Sequence, residues 1–118
     1  MRLDRVYIDG FKNLKRLTAD FDEDRLTTVV IGQNGAGKSN LIEAIISIFR
    51  WVDLRRNEPR FHYRLDYRID GVKVTLSNLP DEAAIAVDGK AVTRADFERH
   101  KGEWFPDLVF GYYSGSSR

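Results

Sequence analysis

A glycine-rich octet near the start of the chain constrains its possible folds more than any other feature. Residues 32–39 read Gly-Gln-Asn-Gly-Ala-Gly-Lys-Ser, which satisfies every fixed position of the phosphate-binding pattern G-x-x-x-x-G-K-[ST]. Residues 26–31 before it are mostly apolar and predict a buried β-strand, whereas residues 40–52 after it predict a helix. This order of strand, glycine turn and helix N-terminus predicts a binding site for the triphosphate of a nucleotide.

The octet supplies a separate group for each part of a magnesium nucleotide. Its glycines permit the backbone angles that turn several N–H groups toward one polyanion, and the helix dipole adds positive charge at the same point. Lys38 is predicted to reach the β- and γ-phosphates as the catalytic charge, and the Ser39 hydroxyl is predicted to bind Mg²⁺. The predicted cofactor-binding residues here are Asn34, Gly35, Ala36, Gly37, Lys38, Ser39 and Asn40.

The helix predicted after the octet has apolar residues around most of its circumference. Its polar residues fall three or four positions apart and form one narrow stripe: Asn40, Glu43, Ser47 and Arg50. We therefore expect this helix to be packed on most sides, which would hold its N-terminus rigidly beside the phosphates.

The sequence around the octet is more specific than the phosphate pattern alone. Residues 31–45 read I-G-Q-N-G-A-G-K-S-N-L-I-E-A-I, and Gly10-Phe11-Lys12-Asn13 follows an extended opening segment. Both stretches resemble the ATP-binding heads of ABC-type ATPases that act on DNA, namely the RecF, structural-maintenance-of-chromosomes and overcoming-lysogenisation-defect groups. The resemblance covers residues 1–52 well and is weaker in the rest of the chain.

This resemblance implies a fold, cofactors and a wider site. The implied fold class is α/β, a P-loop NTPase that forms the first lobe of an ABC-type ATPase head with an antiparallel β-subdomain. The implied cofactors are ATP and Mg²⁺, and Lys12 and Asn13 would lie beside the nucleotide. From the residues alone, a solvated turn after the first strand is the alternative for this pair.

The rest of the sequence predicts mainly antiparallel strands. Alternating apolar residues flank Asp70-Gly71 and, more weakly, Asp88-Gly89, a pattern typical of two-residue hairpin turns. The strands predicted after the first are residues 17–21, 26–31, 61–69, 72–76, 84–87, 90–92 and 107–113.

A loop and a second helix complete the predicted elements. Residues 53–60 are polar and contain Pro59, so they predict a loop. Thr93 predicts the N-cap of a helix that runs to about Lys101, with Gly102 at its end. Five aromatic residues could stack a base, although core packing is favoured for the first two: Tyr63, Tyr67, Trp104, Tyr112 and Tyr113.

Composition and charge exclude several classes of function. The chain has 118 residues, enough for one domain, and it has no cysteine, which excludes a disulfide framework and thiolate metal sites. Neither a signal peptide nor a membrane-spanning run is predicted, so we expect a cytoplasmic protein with no membrane partner. The net charge of +1 argues against a generally basic nucleic-acid binder.

Arginines are nevertheless concentrated in one part of the sequence: Arg50, Arg55, Arg56, Arg60, Arg64 and Arg68. One interpretation is a contact with DNA or RNA phosphates. The other, which we favour, is a solvated loop followed by a strand face, since Arg64 and Arg68 take outward positions of the predicted hairpin.

Parts of a complete ABC-type hydrolysis site are missing from the sequence. The late apolar run at residues 108–113 has no carboxylate after it and does not fit a Walker B strand. ABC-type heads also have a glutamine loop, which has no counterpart here because Gln33 is the only glutamine. Tyr113-Ser114-Gly115 resembles the signature loop only superficially. We therefore expect residues 1–118 to be a partial ATP-binding domain, in which Lys38 would serve hydrolysis only within a longer ATPase.

Two functions from different classes fit these observations. The first is ATP binding by a lobe of a DNA-associated ATPase in DNA repair, chromosome maintenance or anti-phage defence, where ATP bridges the two heads of a homodimer. The second is a nucleotide-gated binding module without catalysis of its own that holds a nuclease or toxin partner. A Walker B Asp-Glu pair after residue 118 would favour the first, and a partner domain in its place the second. A GTPase is disfavoured because Asn-Lys-x-Asp is absent. A small-molecule kinase is harder to exclude on the loop alone, but the antiparallel strands predicted directly after the first helix fit it poorly.

Overall fold

The structure, a computed structural model, describes residues 2–20 and 35–106, with side chains described from residue 40 in the second range. The predicted strands at residues 26–31 and 107–113 lie outside the described residues. So do the first three residues of the glycine-rich octet.

An antiparallel sheet of six strands forms the centre of the described part of the chain. The strands are β1 (Arg2–Asp9), β2 (Leu17–Asp20), β3 (His62–Ile69), β4 (Val72–Ser77), β5 (Ile85–Val87) and β6 (Lys90–Ala91). Their order across the sheet is β2-β1-β3-β4-β5-β6. The described helices are α1 (Gly35–Leu54), α2 (Arg94–Arg99) and α3 (Lys101–Trp104).

Two tight turns fix the register of the sheet. The chain reverses between β3 and β4 at Asp70 and Gly71, with φ of 51° and 81°, and between β5 and β6 at Asp88 and Gly89, with φ of 50° and 83°. Positive φ at both central residues matches the twist of the flanking strands, which is why Asp-Gly is favoured there. Both predicted hairpins are confirmed, and β2 confirms the described part of the strand predicted at residues 17–21.

One face of the sheet carries the apolar core. Val6, Leu65 and Leu76 lie side by side on three neighbouring strands, and all three are fully buried. Each such side chain contributes about 1.5–3 kcal/mol relative to an exposed one. Helix α1 covers this face, where the rings of Phe49 and Tyr67 meet edge to face with centroids 5.3 Å apart.

Helix α1 is longer than predicted at both ends. It begins at Gly35 rather than Asn40, because the apolar periodicity starts only after the octet and could not reveal the first turn. It also includes Asp53 and Leu54, which were predicted to begin the loop, and Asp53 is buried. Arg55 adopts a left-handed φ of 58° and ends the helix. In the predicted polar stripe, Glu43 and Arg50 are exposed, whereas Asn40 and Ser47 are partly buried.

Among the described residues, the packing of α1 is less complete than predicted. Its fully buried residues lie on the side toward the sheet: Leu41, Ala44, Ile48, Phe49 and Val52. Its other described apolar residues are partly buried, apart from Leu54, which is exposed. The sheet therefore holds the helix along one continuous face.

The helix predicted from Thr93 to about Lys101 is divided in two. Thr93 caps it as predicted, since its hydroxyl accepts a hydrogen bond from the N–H of Asp96 at 3.0 Å. The expectation that Gly102 ends the helix was wrong, because that residue lies inside α3. In one continuous helix Phe97 and Phe105 would be about 12 Å apart along the axis. Their ring centroids are 5.9 Å apart, so the chain must bend between them.

Burial of Tyr67 makes the free energy of unfolding depend on pH in the alkaline range. Its hydroxyl donates to the backbone carbonyl of Trp104, and burial raises its pKa above the ordinary value. Burial likewise raises the pKa of Tyr63 to about 12. The folded chain therefore keeps both phenol protons at a pH where the unfolded chain has lost them. This contribution is complete below about pH 10 and is lost as pH rises through the folded values.

We expect Tyr67→Phe to be about 1 kcal/mol less stable at neutral pH, because the carbonyl of Trp104 loses its buried donor. The variant should also lose less stability than the wild type between about pH 9 and about pH 11. Urea unfolding at both pH values measures this. An equal alkaline loss in the two proteins would contradict the assignment.

Candidate nucleotide-binding site

Helix α1 begins inside the glycine-rich octet. Because α1 begins at Gly35, the backbone of residues 35–39 forms its first turn. The first four N–H groups of a helix have no hydrogen-bond partner within the helix, and they point outward from its N-terminus. Together with the helix dipole they make this end suitable for an anion.

The side chains that would complete the phosphate cradle lie outside the described part of the structure. This applies to Asn34, Lys38 and Ser39. The predicted roles of Lys38 with the phosphates and of Ser39 with Mg²⁺ remain predictions.

The turn between β1 and β2 is anchored on the core. The N–H of Gly10 donates to the carbonyl of Leu14 at 2.9 Å, and the side chain of Leu14 is buried. The ring of Phe11 packs on that of Phe61 at a centroid distance of 4.9 Å. Lys12 adopts a left-handed φ of 53° at the tip of the turn. This anchoring leaves the side chains at the tip exposed and free to face α1.

That tip contacts α1 just after the octet. Nζ of Lys12 lies 2.8 Å from a carboxylate oxygen of Glu43, and the Asn40 side-chain amide donates to the Asn13 side-chain oxygen at 2.6 Å. The structure thus brings together three residues that were predicted for the site: Lys12, Asn13 and Asn40. Lys12 and Asn13 are exposed in this turn. Their place beside a nucleotide stays a prediction.

Glu43 is the member of this group that was not predicted for the site. The sequence offered a signal, because Glu43 lies three positions after Asn40 on the same polar stripe. The side chains of Lys12 and Glu43 are 52% and 53% exposed. An ion pair this exposed is worth at most about 1 kcal/mol, so it orients the two side chains more than it stabilises the fold.

The opposite end of α1 is held by cations from the two short helices. Arg94 donates to the carbonyl of Val52, and Nζ of Lys101 lies 3.1 Å from the carbonyl and 2.7 Å from the carboxylate of Asp53. No basic residue occurs in the last turn of α1 itself. Cations placed there satisfy the last carbonyls and the negative end of the dipole. The helix whose N-terminus forms the candidate anion site is therefore fixed at its far end.

The arginines concentrated in the sequence separate into two groups in the structure. Arg64 pairs with Glu82 at 3.1 Å, and Arg68 pairs with Asp4 at 2.9 Å. Both are strand residues on the polar face of the sheet, as predicted. The other four are exposed, and no carboxylate pairs with them within residues 2–20 and 35–106: Arg50, Arg55, Arg56 and Arg60. We call these four the unpaired arginines.

The aromatic residues give no stacking platform in the described part of the chain. Tyr63 and Tyr67 are core residues, which confirms the favoured interpretation. The ring of Trp104 stacks on His100 at a centroid distance of 4.6 Å. Tyr112 and Tyr113 lie outside the described residues.

No helix within residues 2–20 and 35–106 is long and apolar enough to cross a bilayer.

Comparison with known proteins supports the sequence interpretation. A family model described as the AAA ATPase domain matches residues 1–99. The DNA replication and repair protein RecF of Oceanobacillus iheyensis is 29% identical over 106 residues, which cover 86% of this chain and 28% of that protein. RecF of Lactobacillus acidophilus is 47% identical over 45 residues, or 38% of this chain and 12% of that protein. The chromosome partition protein Smc of Halobacteriovorax marinus is 46% identical over 46 residues, or 38% of this chain and 4% of that protein.

The matches cover most of this chain in one comparison but only a part of each relative. The chain spans less than a third of the length of each of these relatives, so it corresponds to a part of them. The family model, by contrast, covers most of the chain, including the octet and the β1–β2 turn. This chain therefore belongs to the AAA ATPase domain family, with the P-loop NTPase fold, and is of the ABC type to which RecF and Smc proteins belong.

Proposed function

We propose that residues 1–118 are the ATP- and Mg²⁺-binding N-terminal lobe of an ABC-type ATPase head that acts with DNA. The observation that carries this proposal is the contact between the β1–β2 turn and the helix after the glycine-rich octet. The two polar contacts there, at 2.8 Å and 2.6 Å, join segments that are far apart in sequence. They hold Lys12 and Asn13 against the part of α1 that directly follows the octet, where Asn40 lies.

In this proposal the nucleotide binds mainly through its triphosphate. The N–H groups of the first turn of α1 and the glycines of the octet surround the phosphates, and Lys38 neutralises their charge. Mg²⁺ takes an oxygen ligand from Ser39 and further oxygens from the phosphates and water. Lys12 and Asn13 border the site from the β1–β2 turn.

Bound ATP would act by joining two surfaces. A second copy of the head, most simply in a homodimer, would contact the γ-phosphate across the interface, and hydrolysis would release it. Phosphoryl transfer needs electrostatic stabilisation by several groups at once, of which Lys38 is one. The lobe would therefore contribute binding and part of the charge, within a longer ATPase chain.

A calorimetric titration with ATP and Mg²⁺ tests this function. The wild-type chain should give saturable binding, and the Lys38→Ala variant should bind ATP much more weakly. A wild-type chain that ignores ATP with Mg²⁺ would overturn the proposal.

The unpaired arginines support an association with nucleic acid. Two of the relatives with local similarity to this chain are named for DNA replication and repair and for chromosome partition. In this chain the unpaired arginines lie at the end of α1 and in the loop after it, where Glu58 is the only carboxylate in residues 54–60. Exposed guanidinium groups without acidic partners can bind backbone phosphates and release their counterions.

We expect the Arg55→Gln/Arg56→Gln double variant to bind a duplex DNA more weakly than the wild type. The slope of log affinity against log salt should decrease in magnitude by about 2, since two phosphate contacts are lost. Fluorescence anisotropy with a labelled duplex at several salt concentrations measures this slope.

Arg64→Gln/Arg68→Gln is the matched control, because it removes two arginines that already have carboxylate partners. Its slope should stay close to that of the wild type. Equal slopes for the two double variants would show that the unpaired arginines are not the DNA contact.

A further inference from the structure

The two contacts between the β1–β2 turn and α1 differ in chemical character. The contact of Asn13 with Asn40 is a hydrogen bond between two neutral amides, at 2.6 Å. The contact of Lys12 with Glu43 is an ion pair whose two side chains are about half exposed. Its small net free energy means that another anion can take the place of the carboxylate.

The helix geometry brings this ion pair close to the predicted phosphate position. Glu43 is eight residues after Gly35, so its Cα lies about 12 Å from the start of the helix along the axis. Helical side chains lean toward the N-terminus, which brings the Glu43 carboxylate, and Nζ of Lys12 with it, nearer to that end by part of a turn. The remaining distance is within the range of the flexible four-carbon stem of Lys12.

We propose that Glu43 is the partner of Lys12 in the nucleotide-free chain and competes with the phosphates of the nucleotide for it. When a polyphosphate binds at the start of α1, the Lys12 ammonium leaves Glu43 and moves to a phosphate oxygen. The triphosphate wins this competition because it carries several negative charges against one. The inference rests on the proposed function, and it assigns to Glu43 the role of a positioning residue that acts through Lys12.

This exchange gives the chain a response to nucleotide in the β1–β2 turn. The Asn13–Asn40 contact keeps the turn on the helix, while the ion pair opens. Glu43 is then released and exposed on α1 with its charge uncompensated. Nucleotide occupancy is thereby converted into a change of surface charge beside the site.

The test is a set of ATP·Mg²⁺ titrations on the 118-residue chain at low salt. Four proteins are compared: the wild type, Glu43→Gln, Lys12→Met and the double variant. We expect Glu43→Gln to bind about two- to fivefold more tightly than the wild type, the range that corresponds to the loss of one competing exposed ion pair. The gain should disappear in the Lys12→Met background, and it should shrink at high salt.

Asp70→Asn is the matched control, since it removes one exposed carboxylate from the β3–β4 turn, where an Asn tolerates the left-handed φ. Its affinity should equal that of the wild type. Glu43→Gln could also raise the ATP affinity by the same factor in the Lys12→Met background. That result would mean simple repulsion between Glu43 and the phosphates, and it would overturn the proposed exchange. So would weaker or unchanged binding by Glu43→Gln. A wild-type chain that does not bind ATP would instead remove the proposed function, and the inference with it.

Discussion

Lys38→Ala is expected to reduce ATP affinity by about tenfold to a hundredfold or more while leaving the fold intact. A hydrogen bond to a charged group contributes about 1.5–3 kcal/mol, and Lys38 would make such bonds to the β- and γ-phosphates. Alanine is a good helix former, so the substitution does not disturb the first turn of α1. Isothermal titration calorimetry with ATP and Mg²⁺ measures the affinity, and far-UV circular dichroism with thermal unfolding checks the fold.

Lys73→Ala is the matched control for this substitution. It removes one exposed lysine from β4, on a strand that does not contact the octet region through any described hydrogen bond. Its ATP affinity should match that of the wild type. Tight ATP binding by Lys38→Ala would mean that the octet is not the phosphate site, whereas equal losses in both variants would indicate a nonspecific charge effect.

Lys101→Met is expected to lower the free energy of unfolding by about 2–4 kcal/mol. The carboxylate of Asp53 is only 4% exposed, and its Oδ2 atom has no hydrogen-bond partner within the described residues. Lys101 compensates this charge through its 2.7 Å contact, and it also donates to the carbonyl at the end of α1. Removal of one partner of a buried pair leaves an uncompensated charge, which typically costs 3–5 kcal/mol. Partial exposure of Lys101, at 28%, moderates that cost.

A second substitution separates charge from packing. Asp53→Asn in the Lys101→Met background removes the stranded charge, so the double variant should regain a substantial part of the lost stability. Lys73→Met serves as the control for loss of an exposed lysine and should change stability by no more than about 0.5 kcal/mol. Denaturant unfolding of the four proteins gives these free energies. A double variant less stable than Lys101→Met would show that Asp53 stabilises α1 by other means.

The local features of this protein could be read from its sequence because short-range chemistry decides them. Asp70-Gly71 and Asp88-Gly89 predicted hairpins, since few other residue pairs adopt two successive positive φ angles. Thr93 predicted a helix start because its hydroxyl can pair with an N–H three residues later. The octet predicted the nucleotide-binding family, which the comparisons bear out.

Contacts between segments far apart in sequence were decided only by the tertiary structure. The place of Glu43 on the polar stripe did not identify Lys12 as its partner, and no pattern indicated that Lys101 would compensate Asp53. Each pair joins segments that meet only in the folded chain. The same holds for the six arginines, which look alike in sequence and separate into paired and unpaired groups through their neighbours in space. Backbone preferences and periodicity act over a few residues, so the sequence determined the elements and the phosphate motif. Electrostatic partners depend on distances across the fold, and those were set by the packing of α1 on the sheet.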